Sequence, residues 1–484
     1  MPRSTIYAAC LALAAFVSGA GAQSVSVYQT TPDLLEALSQ RQTLHFSSKA
    51  APAATLPTIT VDDAQRFQEI DGFGASLTDA AAWLFAKKLT PAQTDAAFKS
   101  LFSRKDGIAL SFLRQPIGSS DLAVTFYSYD DLCQQTDKAC TTPADVADLN
   151  LDHYSLAHDQ EYILPLLKKV LALNPAIHIM LTPWSPPGWM KSNGSMLGGA
   201  MRKHSFEPYA RYFVKFLEAY KAEGVHVNAV TVQNETDTDQ DGRMPACLWG
   251  QEYEIDFVQN FLGPALRKAG SPTKIWVLDH NYNLWGRAIG ELSVPEAAQY
   301  IDGIAWHGYM GEPSAMSRVH EAFPQKNAYW TEGGPDIAAA DYQTDFTRWA
   351  ETYNGILRNW ARSITAWNLA LDEKGNPNIG PFSCGGVLTV ENGTHKVTRS
   401  GQYWAFAHFS KHVRRGARVF RTDGVGEGEG SGNAVTHAGF RNPDGSLVVV
   451  LTNSGEEKRV QLLLGSKALE LDLPAGSVYT LQWS

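Results

Sequence analysis

Basic charge is in short supply. The 41 Lys and Arg residues are outnumbered by 50 Asp and Glu, which leaves a formal charge of −9 over 484 residues, and no block of basic residues gathers anywhere. This argues against electrostatic recognition of nucleic acid and against anchoring to anionic lipid through a polybasic patch. Long apolar runs are missing too. Beyond the N-terminal segment nothing approaches the ~20 residues a membrane-spanning helix requires. No G-x-G-x-x-G follows a strand-like segment, and Gly72-Phe73-Gly74 is a G-x-G only, so a dinucleotide has no cradle. No CxxC occurs, and His153 and His158 lack metal-ligand spacing. Neither a metal nor a cofactor is therefore expected. With 40 Gly and 24 Pro the chain is not low-complexity, and 44% hydrophobic against 19% charged residues excludes intrinsic disorder.

The first feature that is present is an address. Arg3 precedes an apolar stretch over residues 6–18, and Ala20-Gly21-Ala22 supplies an A-x-A cleavage site. Residues 1–22 read as a secretory signal peptide, with Gln23 as the first mature residue and a secreted or periplasmic destination. Cleavage removes Cys10 and leaves Cys133, Cys140, Cys247 and Cys384. An even count suits an oxidising compartment. Cys133 and Cys140 bracket a polar loop and are the candidate disulfide; four free thiols are the alternative.

Short β-branched or aromatic runs recur, each followed by a polar loop and a helical pattern. Strands are expected near 68–74, 108–114, 177–182, 228–233, 274–279, 301–307, 327–331 and 363–369. Their near-continuous hydrophobicity fits a parallel sheet buried on both faces. Phe206, Tyr209, Phe213, Phe216, Leu217 and Tyr220 recur at spacings of three and four, with Gly224 as a stop, and predict the clearest helix. Eight strand–helix units describe an α/β fold, a (β/α)8 barrel over residues 65–384, better than a doubly wound open sheet. After residue 385 the pattern becomes short and alternating, and Asn442-Pro443-Asp444-Gly445 marks a hairpin. Residues 385–484 thus predict an accessory antiparallel β-sandwich, to which residues 23–64 contribute strands, with one short helix around 401–412 between the domains.

In such a barrel the carboxyl ends of the strands form the active face. Reading those ends gives Asp79 after strand 1, Arg114 on strand 2 with Asp121 beyond it, and Trp184 after strand 3. Strand 4 ends in Asn234-Glu235, strand 6 in His307 with Tyr309 beyond, strand 7 in Glu332, and strand 8 carries Trp367 and Asn368. Carboxylates on strands 4 and 7 face each other across the mouth. A carboxyl pair in a tryptophan-lined cup is what glycosidic cleavage requires: one protonates the leaving oxygen, the other attacks or stabilises the oxocarbenium-like carbon. Indole faces stack on the C–H face of a pyranose, while Asp and Asn bind its hydroxyls.

Seven motifs carry a resemblance. GFGASLTDAAA (72–82), LRQPIGSSDLA (113–123), TPWSPPGWMKSNG (182–194), VTVQNET (230–236), WHGY (306–309), YWTEGG (329–334) and TAWNLALDEKGNPN (365–378) run in the order found in glycoside hydrolase family 30. The chain resembles the glucosylceramidase (acid β-glucosidase) branch of that family. The resemblance implies a retaining β-glycosidase acting on β-D-glucosides of a carbohydrate or glycolipid. Glu235 would be the acid/base and Glu332 the nucleophile, about 5–5.5 Å apart as in retaining pairs. Asp121, Trp184, Asn234 and Trp367 would hold the sugar. Arg114, His307 and Tyr309 would support Glu332, and Asp79 would be structural. One departure stands out: after strand 8 the chain reads NPNIGPFSCGG, without the tryptophan that the lysosomal glucosylceramidase has there, which puts ceramide in doubt. The alternatives are a β-1,6-glucanase or xylanase of the same family and, in another class, a carbohydrate-binding protein without catalysis.

Overall fold

The computed structural model describes residues 23–47, 56–425 and 435–484, so the expected signal peptide lies outside the described residues. Eight parallel strands close into a barrel: β1 (Gly72–Ser76), β2 (Phe112–Pro116), β3 (His178–Thr182), β4 (Ala229–Thr231), β5 (Lys274–Asn281), β6 (Ile301–His307), β7 (Asn327–Glu332) and β8 (Ala361–Ala366). The ring is sealed by β8 against β1, with Ser363 opposite Gly72 and Ala366 opposite Ala75. Gly74 permits the next contact: a Cβ there would stand 1.7 Å from the carbonyl oxygen of Phe112. Phe112, Met180, Ala229, Trp276, Ala305 and Tyr329, one from each of six strands, form a separate apolar cluster. The Trp276 and Tyr329 rings stack in it at 3.7 Å. Each such large side chain removed from water contributes roughly 1.5–3 kcal/mol, so the lumen is a packed plug and chemistry is left to the strand ends.

The periodic segment after β3 is a helix, Phe206–Ala222, with all six expected positions buried and Gly224 at φ +83° just beyond its end. Gly401–Ser410 is also helical and buried nearly throughout. Its His408 is clasped between Thr30 at 2.8 Å and Thr480 at 2.9 Å, both from the sandwich, while Tyr403 donates to the carbonyl of Ser100 on the barrel side.

Nearly all of the sandwich strands run along one hydrogen-bonded path that brings the first described strand beside the last, with Leu44–His45 pairing off it. Ser24–Thr30 pairs with Ser477–Trp483, and Thr58–Glu69 lies between Arg418–Gly424 and Lys458–Leu464. The pairing of Thr58–Glu69 with Lys458–Leu464 is parallel, a departure from a wholly antiparallel sandwich. Two divisions of the chain also move. Thr58–Glu69 straddles the expected boundary at 64/65, and the chain turns through Ile70-Asp71 before β1 begins. Leu388–Val390 pairs with Ala370–Asp372 on one side and with Val397–Arg399 on the other in a small sheet of their own, so the C-terminal sandwich strands start at Arg418, not near 385. Cys133 and Cys140 form a disulfide, and Cys247 and Cys384 are free thiols. No helix among the described residues is long and apolar enough to cross a membrane.

Candidate active site

The strand ends are organised around a carboxylate that sequence reasoning passed over. Asp279, near the end of β5, is fully buried and takes five donors from five other strands. Thr182 and Thr231 each donate at 2.9 Å, Thr331 at 2.7 Å and Arg114 at 3.0 Å, and His307 Nε2 lies at 3.0 Å. Burial alone would raise this carboxyl, but Arg114, His307 and the hydroxyls hold it far below the usual carboxylate range. Leu278 and Asp279 both adopt positive φ (73° and 42°), a conformation that L-residues keep only when their surroundings fix it. The twist lets the Asp279 carbonyl accept the backbone N–H of Glu235 at 2.9 Å, and Glu235 itself sits at φ +53°.

From that hub Arg114 distributes positive charge. Its second terminal nitrogen also donates to Asn234 Oδ1 at 2.7 Å, and the first donates to Glu332. The guanidinium lies 4.7 Å from the Trp184 ring and 5.7 Å from the Trp367 ring. Those two indoles stack on each other at 4.8 Å. Gly334 makes room for this wall: a Cβ there would fall 2.2 Å from the carbonyl oxygen of Trp367.

Glu235 and Glu332 converge on one imidazole. His307 Nδ1 stands 3.4 Å from Glu235 Oε1 and 3.9 Å from Glu332 Oε1. Tyr309 donates to Glu332 at 3.1 Å, and Gln240 donates to Glu235 at 2.6 Å. Burial opposes a charged His307, yet Glu332, Asp279 and Glu235 outweigh it and raise the imidazole to about 9. Burial raises Glu332, and the Glu235 charge adds to it against the pull of His307 and Arg114. Glu235 is drawn the other way: burial resists, but His307, His280 and Gln240 lower it. Before substrate binds, the mobile proton therefore rests on His307 rather than on Glu235.

A cavity of about 580 Å³ opens over this cluster, lined by both glutamates, Asp121, Asn234, Trp184 and Trp367 among others. Asp121 Oδ1 is buried there without a hydrogen-bond partner, and burial followed by Glu332 and Glu235 pushes its carboxyl up to about 8. A carboxyl oxygen kept without a partner at the cavity wall is one that a ligand hydroxyl can satisfy. Phe382, Ser383 and Cys384, from the segment after strand 8, form part of the wall. Two strand-end residues fall outside. Asp79 binds His158 at 2.7 Å and the Val124 N–H at 2.8 Å, which makes it a loop tie, and Asn368 turns to the Ala370 N–H at 3.0 Å. Asp279, His280 and Gln240 are the site residues that sequence reasoning missed. The first two stand at the end of strand 5, a strand that none of the seven motifs covers; nothing in the sequence singles out Gln240.

The charge on His307 has a measurable consequence. Its native pKa lies above the ordinary histidine value of about 6.5, so its contribution to stability is complete below that pH and is lost as pH rises through about 9. Melting temperature is expected to fall between those limits. The loss corresponds to a few kcal/mol at most, because each pH unit separating the native from the unfolded pKa is worth on the order of 1.4 kcal/mol. His307→Gln should flatten that slope. A variant as steep as the parent would assign the decline to other groups.

Residues 70–413 match the glycosyl hydrolase family 30 TIM-barrel domain, and residues 424–481 match the family 30 β-sandwich domain. An endo-1,6-β-D-glucanase of Neurospora crassa is 35% identical over 410 residues, spanning 82% of this chain and 81% of that protein. The lysosomal acid glucosylceramidase of Mus musculus is 29% identical over 450 residues, spanning 88% and 83%. Among solved structures, an endo-β1,6-glucanase superposes with a TM-score of 0.83 at 30% identity, covering 95% of this chain and 99% of the other.

Proposed function

The chain belongs to glycosyl hydrolase family 30, and from that premise we propose that it is an exported endo-1,6-β-D-glucanase working by a two-glutamate, double-displacement mechanism. Membership makes it a glycoside hydrolase with a carbohydrate substrate. The observation that carries the finer reading is the similarity, over about four-fifths of both chains, to a fungal endo-1,6-β-D-glucanase. It is supported by the likeness to a solved endo-β1,6-glucanase. This reverses the order of the two readings drawn from the motifs, in which glucosylceramidase led. The lysosomal enzyme is the less similar of these two relatives, and Phe382–Cys384 of the cavity wall lie in the stretch after strand 8 where the resemblance to that branch breaks off.

The chemistry follows from the side chains. Trp184 and Trp367 offer faces to a glucose ring, and Asp121 and Asn234 bind its hydroxyls. Glu332 attacks the anomeric carbon while the bond from that carbon to O6 of the next glucose breaks, and Glu235 gives its proton to the departing O6. Glu235, now a carboxylate, takes a proton from water whose oxygen displaces Glu332, which leaves as the free carboxylate. For the first step Glu235 must hold the proton that rests on His307 before substrate binds. Moving it from Nδ1 to Oε1 across 3.4 Å leaves the cluster's total charge unchanged, and substrate contacts supply the bias that favours the neutral pair.

Hydrolysis of a linear β-1,6-glucan, set beside xylan and glucosylceramide, tests the substrate. Oligosaccharides of several lengths from the 1,6-glucan alone are the expected result, and preference for either other substrate would overturn it. Proton NMR should find the β-anomer first; initial α-anomer would end the double-displacement mechanism. N-terminal analysis of exported protein should begin at Gln23, and an intact Met1 would refute cleavage.

A further inference from the structure

His280, immediately after Asp279 near the end of β5, has no part in that mechanism, yet its Nδ1 stands 3.8 Å from Glu235 Oε1. His307 Nδ1 stands 3.4 Å from the same oxygen. Both imidazole nitrogens are buried and without a hydrogen-bond partner. All three ligand atoms lie within 4.8 Å of one another, the one such group of three or more His, Cys, Asp or Glu among the described residues.

We infer that His280, His307 and Glu235 form a binding site for a borderline divalent cation, with Zn²⁺ as the fitting ion, and that its occupation switches the enzyme off. The donor set is two imidazoles and one carboxylate, a combination that zinc accepts while leaving a fourth position open. The spacing suits it: two ligands each about 2.1 Å from a tetrahedral zinc stand about 3.4 Å apart. The Glu235–His307 contact meets that distance and the Glu235–His280 contact is a few tenths of an ångström longer, while the set as a whole, spread within 4.8 Å, closes by an inward movement of His280 of up to about 1.4 Å. The far side of His307 is already braced, because Nε2 lies 3.0 Å from Asp279, the carboxylate–histidine support that orients a metal-binding imidazole. The cavity above supplies an entry path and room for a water in the open position.

In that site Glu235 Oε1 becomes a metal ligand. That oxygen can then neither protonate a leaving group nor accept a proton from water. The cation is thus an inhibitor and takes no part in the reaction. The inference holds whichever β-glucan is cleaved, since it concerns only the acid/base and its neighbours.

The test is isothermal titration calorimetry of Zn²⁺ into the metal-free chain, alongside His280→Asn and Glu235→Gln. One zinc per chain with micromolar affinity is expected, and each substitution should weaken it by about 100-fold, the upper end of what loss of even a supporting residue does. Co²⁺ in place of Zn²⁺ should give the intense visible bands of a low-coordinate site in the parent and lose them in both variants. Turnover of the parent should fall with zinc occupancy and return on adding a chelator. If His280→Asn does not fold, Glu235→Gln read by the same calorimetry decides. The inference is overturned if the parent binds no zinc below 100 μM, a limit of about −5.5 kcal/mol. It is also overturned if the folded variants bind zinc as tightly as the parent.

Discussion

Replacing Glu332 by Ala or Gln is expected to abolish turnover of every β-glucoside, by about 10⁴-fold or more, because no covalent intermediate can form. Glu235→Ala should behave differently. General acid–base help is worth roughly 10²–10⁴-fold, and an activated aryl leaving group does not need it to depart. On such a substrate the first step should survive in Glu235→Ala, giving a burst of phenolate and then a stalled glycosyl enzyme. Azide separates the roles by stereochemistry. It needs no base, so with Glu235→Ala it should resolve the stalled intermediate and yield a β-glycosyl azide. With Glu332→Ala it should occupy the vacated space, attack the substrate directly and yield the α-azide. Interchanged products would mean that the two glutamates have been given each other's parts. The lowered Glu235 and raised Glu332 before substrate binds make this more than a formality, since a reading from resting charge alone would assign them in reverse.

The strands most legible in the sequence are those whose hydrophobic run and ladder coincide. Residues 301–307 form β6 as expected, and Phe206–Ala222 is helical because its buried rings follow the helix period. Where they part, the reason is local. The run at 108–114 is buried from its start, but Ala109 adopts φ +61° and cannot continue a ladder, so β2 begins only at Phe112. At the other end Trp367 donates to the carbonyl of Gly333 instead of a strand partner, and β8 stops at Ala366. Thr58–Glu69 was missed over most of its length because DDAQRFQE is largely polar and half exposed, with no apolar alternation to announce it. The site divides in the same way. Glu235, Glu332, Trp184 and Trp367 are legible because each follows a recognisable strand and has a chemistry of its own. Asp279 is not, since its meaning lies entirely in five partners scattered over more than two hundred residues of chain.

Those partners set the second large effect. Arg114→Leu should destabilise the barrel by about 3–5 kcal/mol near neutral pH, because it strands Asp279 and Glu332 as buried charges without their cation. Arg114→Lys should recover only part, since a single ammonium cannot serve Asn234, Asp279 and Glu332 with the guanidinium's fixed fork. The pH dependence has a definite sign. In the parent the Asp279 pKa is depressed, so its contribution is present above the unfolded value of about 3.9 and lost as pH falls through the native one. In Arg114→Leu the same carboxyl lacks its cation and takes up a proton at a higher pH. The gap between the two proteins should therefore be widest near pH 7 and narrow towards acid. Asp279→Asn placed in the Arg114→Leu background should restore much of the stability, because the amide oxygen can still accept from Thr182 and Thr231 while the buried charge is gone. It should restore no activity, because Glu332 still lacks its cation. Hydrogen exchange in β2, β5 and β7 checks this for the barrel alone, without treating two domains as one transition. A loss under 1 kcal/mol for Arg114→Leu, or a gap that widens in acid, would mean that the threonine hydroxyls and His307 hold Asp279 without the arginine.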